Sequence, residues 1–218
     1  MTDLRDDELA PEMAERRELL MGLLALSAAA GAAGTASAAD VAPPGTVRPP
    51  DQGLYKGRID GFKNKTLAQK IQELIDREEY RELTAIYALR VAHGVSTADL
   101  FTDDGIFTVD EGSGKPLRSS GGSRAALDKN MNQTATMPHK PLPEIHNYLI
   151  KVNGDHAQAI CANELRRIED GKSWVGAGWY SDVLRRENGR WRFARRDMRF
   201  RHYVPLEQGW ANAENPDS

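Results

Sequence analysis

The stretch EIHNYLIKVNGDHAQAICANELRRIEDGKSWVGAGWYSDVLRRENGRWRFARRDMRFR, residues 144–201, decides the fold. Read at a period of two, it divides into four strand-like runs. The divisions fall at Asn153-Gly154-Asp155, Glu169-Asp170-Gly171-Lys172 and Glu187-Asn188-Gly189-Arg190. Asn-Gly and Asp-Gly between alternating apolar runs favour a two-residue hairpin, because its turn needs positive φ at both central positions. The pattern predicts a four-stranded antiparallel meander over 145–152, 156–168, 173–186 and 190–201. His146 stands near the start of its first strand.

Working outward, the segment before the meander reads as what covers one face of that sheet. Thr66 is an N-cap for a helical segment. Leu67, Ile71, Leu74 and Ile75 follow at i, i+4, i+7, i+8, one apolar face. After the polar run Asp76-Arg77-Glu78-Glu79 the apolar set restarts at Tyr80, Leu83, Tyr87 and Val91, and Gly94 ends it. This predicts a short helix and a longer one, or a single bent one. Asp99 to Val109 reads as a turn and a short strand, in which Asp103-Asp104 next to Gly105 is turn chemistry rather than a carboxylate pair. Residues 110–123 are a Gly/Ser-rich loop. Ser123 caps a further helix containing Ala125, Ala126, Leu127 and Met131. Three prolines then mark an extended connection over 132–143.

The N-terminal part has a different character. Arg16-Arg17 precedes Leu19 to Leu26, an Ala/Gly/Ser run and Ala36-Ser37-Ala38. A twin arginine, a moderately apolar core and an Ala-x-Ala site predict an export signal over 1–38, of twin-arginine type, and a periplasmic protein; an anchor helix or an Ala-rich tail is the other reading. A Pro/Gly-rich linker spans 39–66, the domain 67–206 and a tail 207–218. Residues 1–38 hold seven acidic and three basic residues, so the remainder, with 26 basic and 25 acidic, is close to neutral. That balance gives no field to recruit nucleic acid, and no stable membrane insertion is expected after signal cleavage. A single cysteine, Cys161, excludes an intrachain disulfide and cysteine-pair zinc sites. It reads as a small buried hydrophobe.

The order of these pieces resembles the SnoaL-like branch of the NTF2-like superfamily. The resemblance rests on Ile71 to Tyr80 with Leu83 and Tyr87, on Leu100 to Phe107, on Ile145-His146-Asn147-Tyr148, on Asn153 to Ala157, and on Asn188 to Phe193. It implies an α+β cone, a curved antiparallel sheet packed on about three helices, with a deep pocket between them. Within the branch the chain looks closest to the lyase group of scytalone dehydratase and hexachlorocyclohexane dehydrochlorinase; the ending Phe200 to Leu206 is similar to the dehydrochlorinase tail. In that group a strand histidine, matching His146, abstracts a proton, and an aspartate at the end of the second helix orients it. That slot falls here on Ala92 or His93, so the pair is not reproduced. The resemblance also implies a homo-oligomer, a trimer or a dimer.

The residues themselves suggest an acid–base site. An imidazole titrates near neutral pH and serves as a general base where it faces a dry pocket. His146 and Tyr148 share strand parity, which predicts one face for both. On the third meander strand Trp174, Gly176, Gly178, Tyr180 and Asp182 also share parity, and the two glycines leave room for a ligand or for curvature. The resemblance puts Tyr180 where the dehydratase has a substrate-contacting polar group. The expected catalytic residues are therefore His146, His93, Tyr87 and Tyr180, with Tyr148, Asn163, Trp174 and His202 contacting substrate. His146 beside Tyr148 is equally a satisfied core residue, and His93 equally a helix cap. His139 and His156 read as surface residues. No histidines have metal-ligand spacing, and neither a metal nor a cofactor is expected. Arg166-Arg167, Arg185-Arg186 and Arg195-Arg196 are expected to cover the outer face of the sheet or a subunit interface. The reading is a cofactor-independent lyase, by β-elimination or by retro-aldol release of formaldehyde, acting on a small hydrophobic, hydroxylated aromatic compound. The alternative is a non-catalytic binder of small hydrophobic ligands.

Overall fold

The computed structural model describes Leu54, residues 63–110 and residues 118–211. The export signal and nearly all of the linker lie outside the described residues, as does the end of the tail. Among the described residues no helix is long and apolar enough to cross a membrane.

Helix α1 spans Leu67–His93 as one element. Thr66 Oγ1 accepts from the Gln69 N–H, and the Gln69 side chain accepts from the Thr66 N–H, a reciprocal cap that meets two of the helix's orphan donors. Gly94 ends it in the left-handed region at φ 67°. The polar run at 76–79 does not break the helix, because Asp76 turns inward: it accepts from Gln72, Arg186 and the Trp191 indole. Beyond that point Tyr80, Leu83, Thr84 and Tyr87 are buried. Before it, Leu67, Ile71, Leu74 and Ile75 remain exposed, so the first apolar face sits outside the core.

A 3-10 turn at Ala98–Leu100 leads into β1 (Phe101–Asp110), β2 (Arg118–Gly121), α2 (Arg124–Met131) and the single turn α3 (Gln133–Thr136). The Ser123 hydroxyl caps α2 by accepting from the Ala126 N–H. The meander follows as β3 (Leu142–Asn153), β4 (His156–Glu169), β5 (Lys172–Glu187) and β6 (Arg190–Pro205). Each hairpin turns on the predicted residues: Gly154 has φ 59°, Asp170-Gly171 49° and 72°, Asn188-Gly189 52° and 76°.

The six strands form one sheet in the order β2-β1-β6-β5-β4-β3. It is mixed rather than antiparallel throughout, since β1 pairs parallel to β6. Residues of the two strands that become neighbours, such as Phe107 and Arg196, are far apart in sequence, which no hairpin signal reports. Bulges interrupt β3, β5–β6 and β1, and bulges bend a sheet. The inner face and α1 enclose a core of Tyr80, Leu83, Tyr87, Phe101, Phe107, Cys161, Leu165, Tyr180, Leu184, Phe193 and Phe200.

Candidate functional site

The inner face of the sheet can be read rung by rung from the strand register. One rung carries Ile150, Ala159, Asp182 and Arg196; the next Cys161, Tyr180 and Met198, with Tyr148 beside them; the next Ile145, Asn163, Gly178 and Phe200. Alternation along each strand puts these groups on one side, under α1.

Arg196 is the centre of this face and is 0% exposed. Its Nε donates to Asp182 Oδ1 at 2.9 Å and its Nη2 to Asp182 Oδ2 at 3.0 Å, a two-point ion pair. Three rings surround the guanidinium: Phe193, Tyr180 and Tyr87 have centroids 4.0, 4.1 and 4.4 Å from Cζ. Aromatic faces favour such a cation once water is removed. From α1, the Tyr80 hydroxyl donates to Asp182 Oδ2 at 2.8 Å, with Cys161 Sγ 3.5 Å away. Burial pushes the Asp182 carboxyl above the usual carboxylate range, against the opposing pull of Arg196, while Asp182 holds Arg196 charged. Burial likewise raises the Tyr80 and Tyr180 phenols, and takes the Cys161 thiol up to about 12, too high for a nucleophile at neutral pH.

Around the ion pair, two polar atoms of this face have no hydrogen-bond partner among the described residues, as is also true of Trp174 Nε1 further along it. One is Arg196 Nη1; the other is Oδ1 of Asn163, which is 1% exposed. Among the described residues the Asn163 amide nitrogen reaches only Met198 Sδ, at 3.7 Å. Leaving such groups unpaired in a protein interior is costly.

The expected site residues divide into two sets. Tyr87, Tyr180, Asn163 and Tyr148 gather around the Arg196–Asp182 pair or the rungs beside it. Tyr87 and Tyr180 lie edge to face at 5.9 Å. Tyr148 meets the Tyr80 ring edge-on at 6.0 Å and donates to the Ile145 carbonyl at 2.6 Å. Trp174 lies further along the same face, stacked on Tyr203 at 5.1 Å.

The histidines fall elsewhere. His146 pairs with Ala162 on the outer face; its side chain is 46% exposed, with Nε2 3.8 Å from Glu164 Oε1. The expectation that His146 and Tyr148 share a face is corrected by a bulge: Asn147 takes φ 56° and the register shifts between His146 and Leu149, so two successive residues point outward and Tyr148 returns inward. His93 is exposed at the end of α1, where Nδ1 meets the Leu89 carbonyl at 2.7 Å, as a helix cap would. His202 pairs with Ala177 and stacks on Trp210 at 5.5 Å; burial and Arg201 lower its pKa. His139 and His156 are exposed. None of the five imidazoles is buried in the interior.

Two further expectations change. Of the two readings of the glycines, room for a ligand fails while curvature fits: a Cβ at Gly176 would come within 2.7–2.9 Å of the Phe200 and Tyr203 rings, one at Gly178 would lie 1.9 Å from the Arg199 carbonyl, and a bulge falls between Ala177 and Gly178. These glycines serve close packing and a bulge. Arg195 and Arg196 are not surface groups: both are buried, Arg195 on the outer side of the sheet and Arg196 on the inner. Sequence reasoning missed Arg196 and Tyr80 as site groups and named Asp182 only for its parity. The available signal was that Asp182, inward by parity, needs a cation within the same core. Among the described residues no group of three or more His, Cys, Asp and Glu side chains could hold a metal ion.

No curated protein matches the chain in sequence. Solved structures share its fold. A scytalone dehydratase-like protein from Novosphingobium aromaticivorans matches at 18% identity, over 62% of this chain and 90% of that one, with a TM-score of 0.56. An NTF2-like protein with a cystatin-like fold from the same organism matches at 27% identity, over 66% and 92%, with a TM-score of 0.51. A type 2 hexachlorocyclohexane dehydrochlorinase matches at 18% identity, over 63% and 93%, with a TM-score of 0.54. The model of the SnoaL-like domain matches residues 72–197, from within α1 to the ion-pair strand and more than half of the sequence. The chain therefore belongs to the SnoaL-like family, within the NTF2-like superfamily.

Proposed function

We propose that this protein binds a small, hydroxylated aromatic compound on the inner face of its sheet. One observation carries the reading: two buried polar atoms, Arg196 Nη1 and Asn163 Oδ1, lack hydrogen-bond partners among the described residues within a largely apolar interior rich in aromatic rings. A ring bearing an acceptor oxygen and a hydroxyl would satisfy both, the guanidinium donating to one and the amide oxygen accepting from the other. The surrounding Tyr87, Tyr180, Phe193 and Met198 suit the ring itself. Export to the periplasm, read from residues 1–38, belongs to the same proposal.

The test is a panel of hydroxylated aromatic compounds, followed by thermal shift and calorimetry. The expected result is saturable binding that Asn163→Leu weakens by roughly tenfold, the worth of one lost hydrogen bond to a buried group. Failure of every compound to bind would sink the reading.

A second reading, elimination chemistry, is favoured by the 2.8 Å contact between Tyr80 and Asp182. A carboxylate that removes a proton, next to a phenol that protonates the departing hydroxyl, completes a cofactor-free dehydration. The proton then returns from the acid to the phenolate along their shared hydrogen bond. This reading moves the base from His146 to Asp182, the carboxylate facing the interior. Mass spectrometry of the incubated panel should then detect a product lighter by one water, and Tyr80→Phe should abolish it.

A further inference from the structure

We propose that the interior selects a neutral oxygen, that of a ketone, an aldehyde or an un-ionised phenol, and discriminates against a carboxylate. This inference rests on the binding reading above and names the ligand class for the same site.

The selection is electrostatic. Arg196 is the sole basic residue fully buried on the inner face among the described residues, because its buried neighbour Arg195 points to the other side. Its charge is already met by Asp182 through two hydrogen bonds, so the pair presents no net charge to a ligand. What remains is directional: the N–H groups of Nη1, without a hydrogen-bond partner among the described residues. A carbonyl oxygen accepts from such a donor and brings no charge. A carboxylate would bring a second anion beside Asp182 with no second cation to meet it. The other titratable groups facing the pair are Tyr80, Tyr87, Tyr180 and Cys161, and none of them supplies positive charge. An unpaired anion in such a place is strongly disfavoured. Asn163 adds to the selection by offering an acceptor, which suits a ligand hydroxyl.

The probes are 3-hydroxyacetophenone and 3-hydroxybenzoate, titrated calorimetrically into the full chain near pH 6.5, where the first is neutral and the second ionised. The ketone is expected to bind more tightly by at least about tenfold, one decade in Kd. In Asp182→Asn the order should reverse, because the amide still accepts from Arg196 and Tyr80 but no longer neutralises the guanidinium; circular dichroism checks that the variant is folded. Equal affinity, or tighter binding of the benzoate by the unmodified protein, overturns the selection and leaves the binding reading intact. If neither probe nor any member of the panel binds, the binding reading fails and this inference falls with it. The comparison within the unmodified chain decides the matter even if the variant does not fold.

Discussion

Arg195 and Arg196 are neighbours on one strand, and both are buried against an aspartate, yet they are built for different ends. Arg195 points to the outer side. Its Nε donates to both oxygens of Asp197, two residues along the same strand, at 2.9 and 2.8 Å, and Thr108 of β1 donates to the same carboxylate. That cluster fastens the parallel β1–β6 pair, since Thr108 and Asp197 face each other in the register. Arg196 points inward and reaches across to Asp182 on β5. Its cluster includes a phenol from α1 and a cage of three rings. The difference teaches that burial of an arginine does not by itself mark a site. What separates the inner pair is a nitrogen without a hydrogen-bond partner among the described residues, set in a region of rings, which the proposed ligand would meet.

Removing one aspartate from either pair should have the largest effect, because it leaves a buried cation uncompensated. Asp182→Ala and Asp197→Ala are each expected to lose about 3–5 kcal/mol in urea unfolding. Only the first should alter ligand binding in variants that remain folded. The double variant Arg196→Met with Asp182→Leu sharpens this point. Replacing a buried ion pair with apolar groups of similar volume is often close to neutral, so it should recover most of the stability lost in Asp182→Ala while abolishing binding. Next in size come the hydroxyls that support each carboxylate. Tyr80→Phe and Thr108→Val should each cost about 1.5–3 kcal/mol, the range for hydrogen bonds to charged groups. If Tyr80→Phe costs nothing, the inner cluster is not the network described. The smallest effect is expected at His146→Ala, within about 0.5 kcal/mol, since its contact with Glu164 is exposed on both sides. Calorimetry should find its ligand affinity unchanged; a loss of binding would shift the site to the outer face.

Much of this architecture was legible in the residues. Gly154, Gly171 and Gly189 mark the three hairpins because only a few residue types accept positive φ. Thr66, Gly94 and Ser123 mark helix ends through groups that satisfy orphan backbone donors and acceptors. The site was less legible, for reasons that are local. Parity along β3 holds only until an extra residue enters, and Asn147 gives no warning that it will bulge, so the imidazole and the phenol part company. Charged pairs such as Arg195-Arg196 default to the surface in any sequence reading, because a cation is buried only where a partner from another strand meets it. Small residues report room, but whether a ring from the next strand occupies it depends on tertiary packing, as Phe200 and Tyr203 do at Gly176.

The parallel partnership of β1 with β6 also bears on how the chain reaches this state. The four meander strands pair with sequence neighbours through tight turns, whereas β1 must wait for a partner roughly ninety residues downstream, and contacts at such separation slow folding. The Arg196–Asp182 contact spans one hairpin, whereas Tyr80, which donates to the same aspartate, lies 102 residues away in sequence. Refolding followed by tryptophan fluorescence should therefore show a slow phase that Thr108→Val, at the late seam, lengthens more than Tyr203→Leu, within the early ribbon.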